Sequence, residues 1–266
     1  MRNNKKYIAL VLALLLLLGG CGGAGNFETL GRPLAEEEFS IGFRQGDKLS
    51  EYVTAALNVL AADGTLAELS RRWFGKDTTL LRGDAGALDA FMAEGIPPRK
   101  LLVGVDSGAA PMCFKDSAGG YTGFDAELIL RIATRLGWTV SFHPIMEADM
   151  VAQLASGNVD CVIGGMNTAT YSSKLSASPA YLANEKVLVV VSGSGIRNRK
   201  GLAGRALAMT FDPVSDAALS SEEGLRESLG SIKKLDSSAD CFEALKTGGC
   251  DAIIVDSLAL QYYKTN

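Results

Sequence analysis

The side chains that could do chemistry in this chain are carboxylates and amides at strand ends. Asp256 closes the apolar run Ala252-Ile253-Ile254-Val255. A carboxylate at the end of a buried strand is costly without a partner, so Asp256 either meets a cation or caps the helix that Ser257 begins. A second candidate is the loop Ser107 to Phe114, which follows the apolar strand Leu101 to Val105. Catalytic alternatives are poorly supplied. The only histidine, His143, lies on a strand before Pro144, where a structural role is expected, and without a nucleophile–base pair or metal set in the loops the chain is not read as an enzyme. The spacings of Cys113, Cys161, Cys241 and Cys250 match no metal motif, and neither a metal nor a cofactor is expected. Cys161 reads as a small buried hydrophobe. Cys241 and Cys250 flank a short helix and are close enough in sequence to pair, which sequence alone leaves open.

The elements that must position these groups begin with Leu101 to Trp138. This stretch reads as a strand, a loop built on Ser107, Gly108 and Pro111, a polar turn at Asp116 to Gly120, and an amphipathic helix. Leu128, Ile129, Ile132, Ala133 and Leu136 recur at three- and four-residue steps and form one apolar stripe. Asp125 is expected to cap the helix start and Gly137 to close its end. In open α/β sheets, ligands sit in loops beyond the carboxyl ends of the strands. Strands are further expected at Phe39 to Phe43, Val140 to His143, Val159 to Ile163, Val187 to Val191, Leu207 to Thr210, Ile232 to Leu235 and Ala252 to Val255. Helices fall between them, including one begun by a capping box of Thr65 and Glu68. Ser192 to Gly195 reads as a crossing between two lobes. Two α/β lobes follow from two such blocks.

The chain has 266 residues, 47% hydrophobic and 21% charged, enough for one large or two modest cores. A formal charge of −4 argues against a nucleic-acid partner. Arg2, Lys5 and Lys6 precede an apolar run from Tyr7 to Leu18, too short to span a bilayer and suited to a secretory leader. Leu18-Gly19-Gly20-Cys21 then matches a bacterial lipobox, so Cys21 is the expected lipidation site and membrane anchor.

Several blocks resemble the family 3 extracellular solute-binding proteins, the polar amino-acid receptors of ABC importers. Pro111-Met112-Cys113-Phe114 and Gly123-Phe124-Asp125 resemble the family's opening segment. Gly42-Phe43-Arg44-Gln45-Gly46-Asp47 and Ala62-Asp63-Gly64-Thr65, with Trp73-Phe74-Gly75, resemble its usual ending, yet here they come first. The order suggests a circular permutant, with a fragment of a tandem array as the alternative. The implied fold is a two-lobed α/β fold of the type II periplasmic-binding-protein kind. The expected organisation is a leader over residues 1–20, a tether over 21–26, and a piece completing lobe 2 over 27–36. A family C-terminal segment in lobe 1 follows over 37–79 and a linker over 80–100. Lobe 1 then takes 101–190 and lobe 2 takes 191–266.

The resemblance implies a ligand pocket between the lobes. Asp256 would hold a ligand amino group, and Met166, Asn167 and Thr168 would line the pocket with Pro111, Met112, Phe114, Asp106 and Ser172. Ser172 stands where the family usually places a carboxylate-binding Arg, and Lys174 offers a point charge instead of a fork. At the opposing helix start, Asp212 and Pro213 weaken an anion site. The partners implied are an amino-acid-like small molecule, an ABC permease and the membrane, with the protein acting as a monomer. A sensing or orphan module without a transport partner is the second reading, and a dehydratase-type enzyme on the same fold a remote third.

Overall fold

The computed structural model describes residues 26–265 apart from 168, 169 and 171, so the leader, Cys21 and Thr168 lie outside the described residues. Among the described residues, two main sheets organise the chain.

The first sheet runs β10-β3-β9-β4-β8, from Ser176–Ala177 (β10), Gly42–Phe43 (β3), Cys161–Ile163 (β9), Lys100–Val105 (β4) and Thr139–Pro144 (β8). Helices α1 (Leu49–Ala62), α2 (Thr65–Phe74) and α4 (Phe124–Leu136) cover it. The apolar stripe of α4 is fully buried there, and Gly137 closes the helix at a φ of 68°. At that angle glycine avoids the Cβ penalty that other residues carry.

The second sheet runs β1-β11-β14-β12-β13, from Phe27–Thr29 (β1), Leu182–Val191 (β11), Ala252–Asp256 (β14), Ala206–Thr210 (β12) and Ser231–Leu235 (β13). Strand β2 (Ala35–Phe39) pairs with the first half of β11, on the edge that β1 uses further along. Both faces of this sheet are covered. Leu188, Val190, Leu207 and Ile254 point to the face packed by α6 (Pro213–Ser221). Val187, Val189, Ile253 and Val255 point to the face packed by α8 (Ser238–Lys246) and α9 (Ser257–Thr265). Apolar residues on consecutive positions are what a doubly covered strand requires.

The β2–β11 ribbon joins the lobes. Phe39 and Leu182 pair at one end and belong to the lobe 1 core, while Lys186 pairs with Ala35 at the other and leads into lobe 2. The crossing therefore lies at Leu182 to Lys186. Ser192 to Gly195, expected to carry it, is a turn beyond the end of β11. The polar residues in Leu182 to Lys186 hid this half of the strand from a reading based on apolar runs.

Other local expectations change for physical reasons. Residue Asp125 does not cap α4. Gly123 holds the N-cap position, and the Asp125 side chain points into the protein. The Thr65–Glu68 capping box does not form. Asp63 accepts from the Thr65 backbone N–H at 3.0 Å instead. Residues 80–100 form more than a tether. They include α3 (Asp89–Glu94), bury Leu88 in lobe 1, and present the Pro97 carbonyl to the Trp138 indole N–H at 2.8 Å.

Candidate functional site

The carboxyl ends of β12 and β14 meet the crossing ribbon at one polar cluster. Asn184 and Lys186 continue the register of Leu188 and Val190 along β11, and Asp256 continues that of Ile254 along β14. These side chains therefore share one face. The register sets Lys186 directly opposite Asp256 and Asn184 opposite Glu37.

The Lys186 ammonium lies 2.6 Å from Asp212, 2.7 Å from Asp256 and 3.4 Å from Glu37. Three carboxylates therefore surround one ammonium. The Asn184 amide donates to Glu37 at 2.9 Å and to Asp256 at 2.6 Å. Its oxygen accepts from the Ser257 hydroxyl at 3.3 Å. Asp212 is the N-cap of α6 and accepts from the Val214 backbone N–H at 2.9 Å and the Ser215 hydroxyl at 2.6 Å. Pro213, which has no N–H to offer, is tolerated at the first helical turn. The helix start that would otherwise face an anion is thus filled by the chain's own carboxylate.

Electrostatics follow from burial and partners. The Lys186 side chain is 8% exposed. Burial works against its charge, but Asp256, Asp212 and Glu37 outweigh that and raise its pKa. Burial pushes the Glu37 carboxyl up to about 7, against the opposing pull of Lys186 and with the repulsion of Asp256 and Asp212. Asp212 is also buried, yet Lys186 and its hydrogen bonds hold its carboxyl below the usual range. The Asp256 side chain, at 26%, is the most exposed of the four, and its second oxygen has no partner among the described residues.

Lobe 1 approaches this cluster from the end of β9. The Asn167 amide reaches Glu37 at 3.5 Å, and the backbone carbonyl of Met166 accepts from Ser40 at 3.2 Å. The Met166 side chain itself is buried against Met150, Leu154 and Leu175. Asp106, at the end of β4, accepts from the Gly108 backbone N–H at 2.9 Å. The loop it holds packs on the start of α8, where an added Cβ on Gly108 would lie 3.4 Å from the Asp236 carbonyl.

The remaining candidates serve elsewhere. Met112 is buried, and its carbonyl and that of Pro111 accept from the Asp125 and Phe124 backbone N–H groups at 2.8 and 3.0 Å. They shape the turn into α4. Phe114 packs its ring 6.1 Å from Trp73 and 6.2 Å from Tyr262. Ser172 and Lys174 are exposed, and neither is among the described residues that bond to the cluster. The cysteines Cys113, Cys161, Cys241 and Cys250 are buried free thiols.

Glu37, Asn184 and Lys186 were missed as site residues. A usable signal was present, since Asn184 and Lys186 alternate with exposed positions and run into an apolar strand. Polar side chains on the inward register of a strand mark a buried network. Phe211, which precedes Asp212 just past the end of β12, is 67% exposed.

The chain is 31% identical over 171 residues to the probable amino-acid ABC transporter-binding protein of Haemophilus influenzae, covering 62% of this chain and 63% of that one. It is 27% identical to the solved structure of an ABC uptake transporter substrate-binding protein from Streptococcus pneumoniae with bound histidine. That match covers 62% of this chain and 68% of the other at a TM-score of 0.56. Holo ArgBP from T. maritima is similar at 26% identity, covering 66% of this chain and 76% of that one at a TM-score of 0.53. The chain spans just under two thirds of the length of the curated relatives it matches. The profile of one family matches residues 101–234, half of the chain, and the protein belongs to the bacterial extracellular solute-binding proteins, family 3.

Proposed function

We propose that this protein is a lipid-anchored extracytoplasmic receptor that captures an amino acid or related amine between its lobes and presents it to the permease of an ABC importer. The observation that carries the reading is the position of Asp256. It stands at the carboxyl end of β14, part-exposed and with one oxygen that has no partner among the described residues, beside the ribbon that joins the lobes. A ligand ammonium supplies the charge-assisted partner this oxygen lacks. Asn167 from lobe 1 and Asp212 from lobe 2 flank it through the same network, so a bound ligand touches both lobes and favours their closed arrangement. The lipobox at Cys21 supports the anchor. Family membership and the names of the relatives support binding over catalysis.

The chain order is best read as permuted. The family profile begins at residue 101, while β1, β2 and β3, with α1 and α2, come from residues 27–74 and complete both lobes. Residues 80–100 then join the two family ends across lobe 1.

A thermal-shift screen of the chain from Gly22 onward, against amino acids, polyamines and small organic acids, tests the receptor reading. A ligand at a hundred times its dissociation constant stabilises by about 2.7 kcal/mol, a rise of several degrees. The rise should vanish in Asp256→Ala. A cooperative melt with no response to any compound would instead support an orphan module.

A further inference from the structure

We infer that Lys186 is an internal competitor for the amine seat at Asp256, so that the chain's own ammonium sets which ligands the pocket admits. The inference gains its biological meaning from the receptor reading, but its physical basis is independent. The Lys186 ammonium sits between Asp212 and Asp256 at 2.6 and 2.7 Å, with Glu37 at 3.4 Å, and its side chain is almost fully buried. This is the coordination that a primary ammonium on a flexible alkyl stem would adopt if it entered as a ligand.

The surroundings show why displacement is feasible. Lys186 has three carboxylate neighbours, of which Asp256 is the most exposed. An ammonium entering at the second Asp256 oxygen draws this carboxylate away from Lys186, which keeps Asp212 and Glu37, both held from behind. Asp212 is fixed by Val214 and Ser215, and Glu37 by Asn184 and Asn167. Nothing in this exchange leaves a buried charge alone, which is the condition for a low-cost swap. The arrangement also disfavours an anion at this point. Lys186 is already shared among Glu37, Asp212 and Asp256, and a further carboxylate placed here would meet three of its own kind. A ligand group bound here is therefore a primary or secondary ammonium with N–H donors to offer, and a quaternary ammonium is rejected for lack of them.

The test is alkylammonium complementation. Lys186→Ala removes the stem and charge and leaves a hole lined by Glu37, Asp212 and Asp256. We expect this variant to melt several degrees below the parent and to regain most of that loss in n-propylammonium chloride. Tetramethylammonium chloride at equal ionic strength should restore little, and the parent, whose seat Lys186 already fills, should shift by less than half as much as the variant in propylammonium. Lys186→Met keeps the stem volume and should gain a melting shift in ammonium chloride over sodium chloride that is at least twice the parent's. Equal responses to propylammonium and tetramethylammonium, or flat responses in both variants, would overturn the proposal. If Lys186→Ala is recovered unfolded, its soluble refolding yield with and without propylammonium is compared, and equal yields overturn it. Rescue of the variants alongside a silent ligand screen on the parent would sink the receptor reading and leave this inference standing.

Discussion

The Tyr181 hydroxyl donates to Asp125 at 2.7 Å, in a site where neither side chain meets solvent. The other Asp125 oxygen accepts from the Gly165 backbone N–H at 2.7 Å. The start of α4, the loop after β9 and the entry to the crossing ribbon are thereby tied to one carboxylate. Gly165 immediately precedes Met166 and Asn167, so this buried bond sets the position from which lobe 1 reaches Glu37.

Tyr181→Phe should lower stability by about 1–3 kcal/mol, the range for leaving a buried acceptor unpaired. Urea unfolding of the two proteins at neutral pH measures it. A change within error would mean that the hydroxyl bond adds nothing to folding.

Burial pushes the Asp125 carboxyl from 3.8 up to about 7. A folded state that binds its proton more tightly than the unfolded chain is favoured at low pH. The contribution is complete below about pH 4 and is lost as pH rises toward 7. Unfolding free energies at several pH values across that window should fall for the parent protein and fall less steeply for Asp125→Asn. Identical slopes would show that Asp125 ionises no differently in the fold.

Ligand binding should carry its own pH dependence through Glu37. The charged and titratable groups around it are Lys186 from β11, Asp256 from β14 and Asp212 at the start of α6, with the amides of Asn184 and Asn167 completing the shell. As pH rises through about 7, Glu37 ionises, holds Lys186 more strongly and releases Asp256 to the ligand. Amine affinity measured by calorimetry should therefore rise several-fold from pH 6 to 8, and Glu37→Gln should flatten the profile. The fold's own stability runs the opposite way, because the raised carboxyl favours folding at the acid end of the window.

Gly123→Ala should be among the most damaging small changes. Gly123 has a φ of 120°, and a Cβ there would lie 2.3 Å from the Met112 carbonyl oxygen. Backbone strain and the forced shift of the Pro111–Phe114 turn together predict a loss of about 2–4 kcal/mol, read by thermal unfolding. A neutral result would mean that the turn can relax without cost.

Phe211→Ala separates binding from folding. The side chain is 67% exposed, so its removal should change stability by no more than about 0.5 kcal/mol. Phe211 directly precedes Asp212 in the chain, and under the receptor proposal its exposed ring is expected to cover a bound ligand. The variant should accordingly lose ligand-induced melting shift while keeping the parent's own melting temperature. The reverse pattern would assign Phe211 to folding.

Much of this was written locally in the chain. The α4 stripe, the glycine that ends the helix and the apolar run leading to Asp256 are each set by neighbours within a few residues, where periodicity and backbone preference act directly. The family blocks are equally local, and the amino-acid sequence alone was enough to assign the two-lobed α/β fold. What Asp256 touches was decided only by tertiary pairing. Glu37 and Asn184 stand 147 residues apart, and Lys186 meets Asp256 because β11 and β14 align antiparallel in that register. Asp125 shows the same limit at short range. Its position at a helix start suggested a cap, but the packing of Tyr181 and Gly165 around it made a buried carboxylate the better-satisfied arrangement. The sequence determined which groups sit at strand ends, because that is a matter of local pattern. The tertiary structure decided whether each group faces a ligand or another side chain, because a charge withdrawn from water must find its partner wherever the fold brings one close.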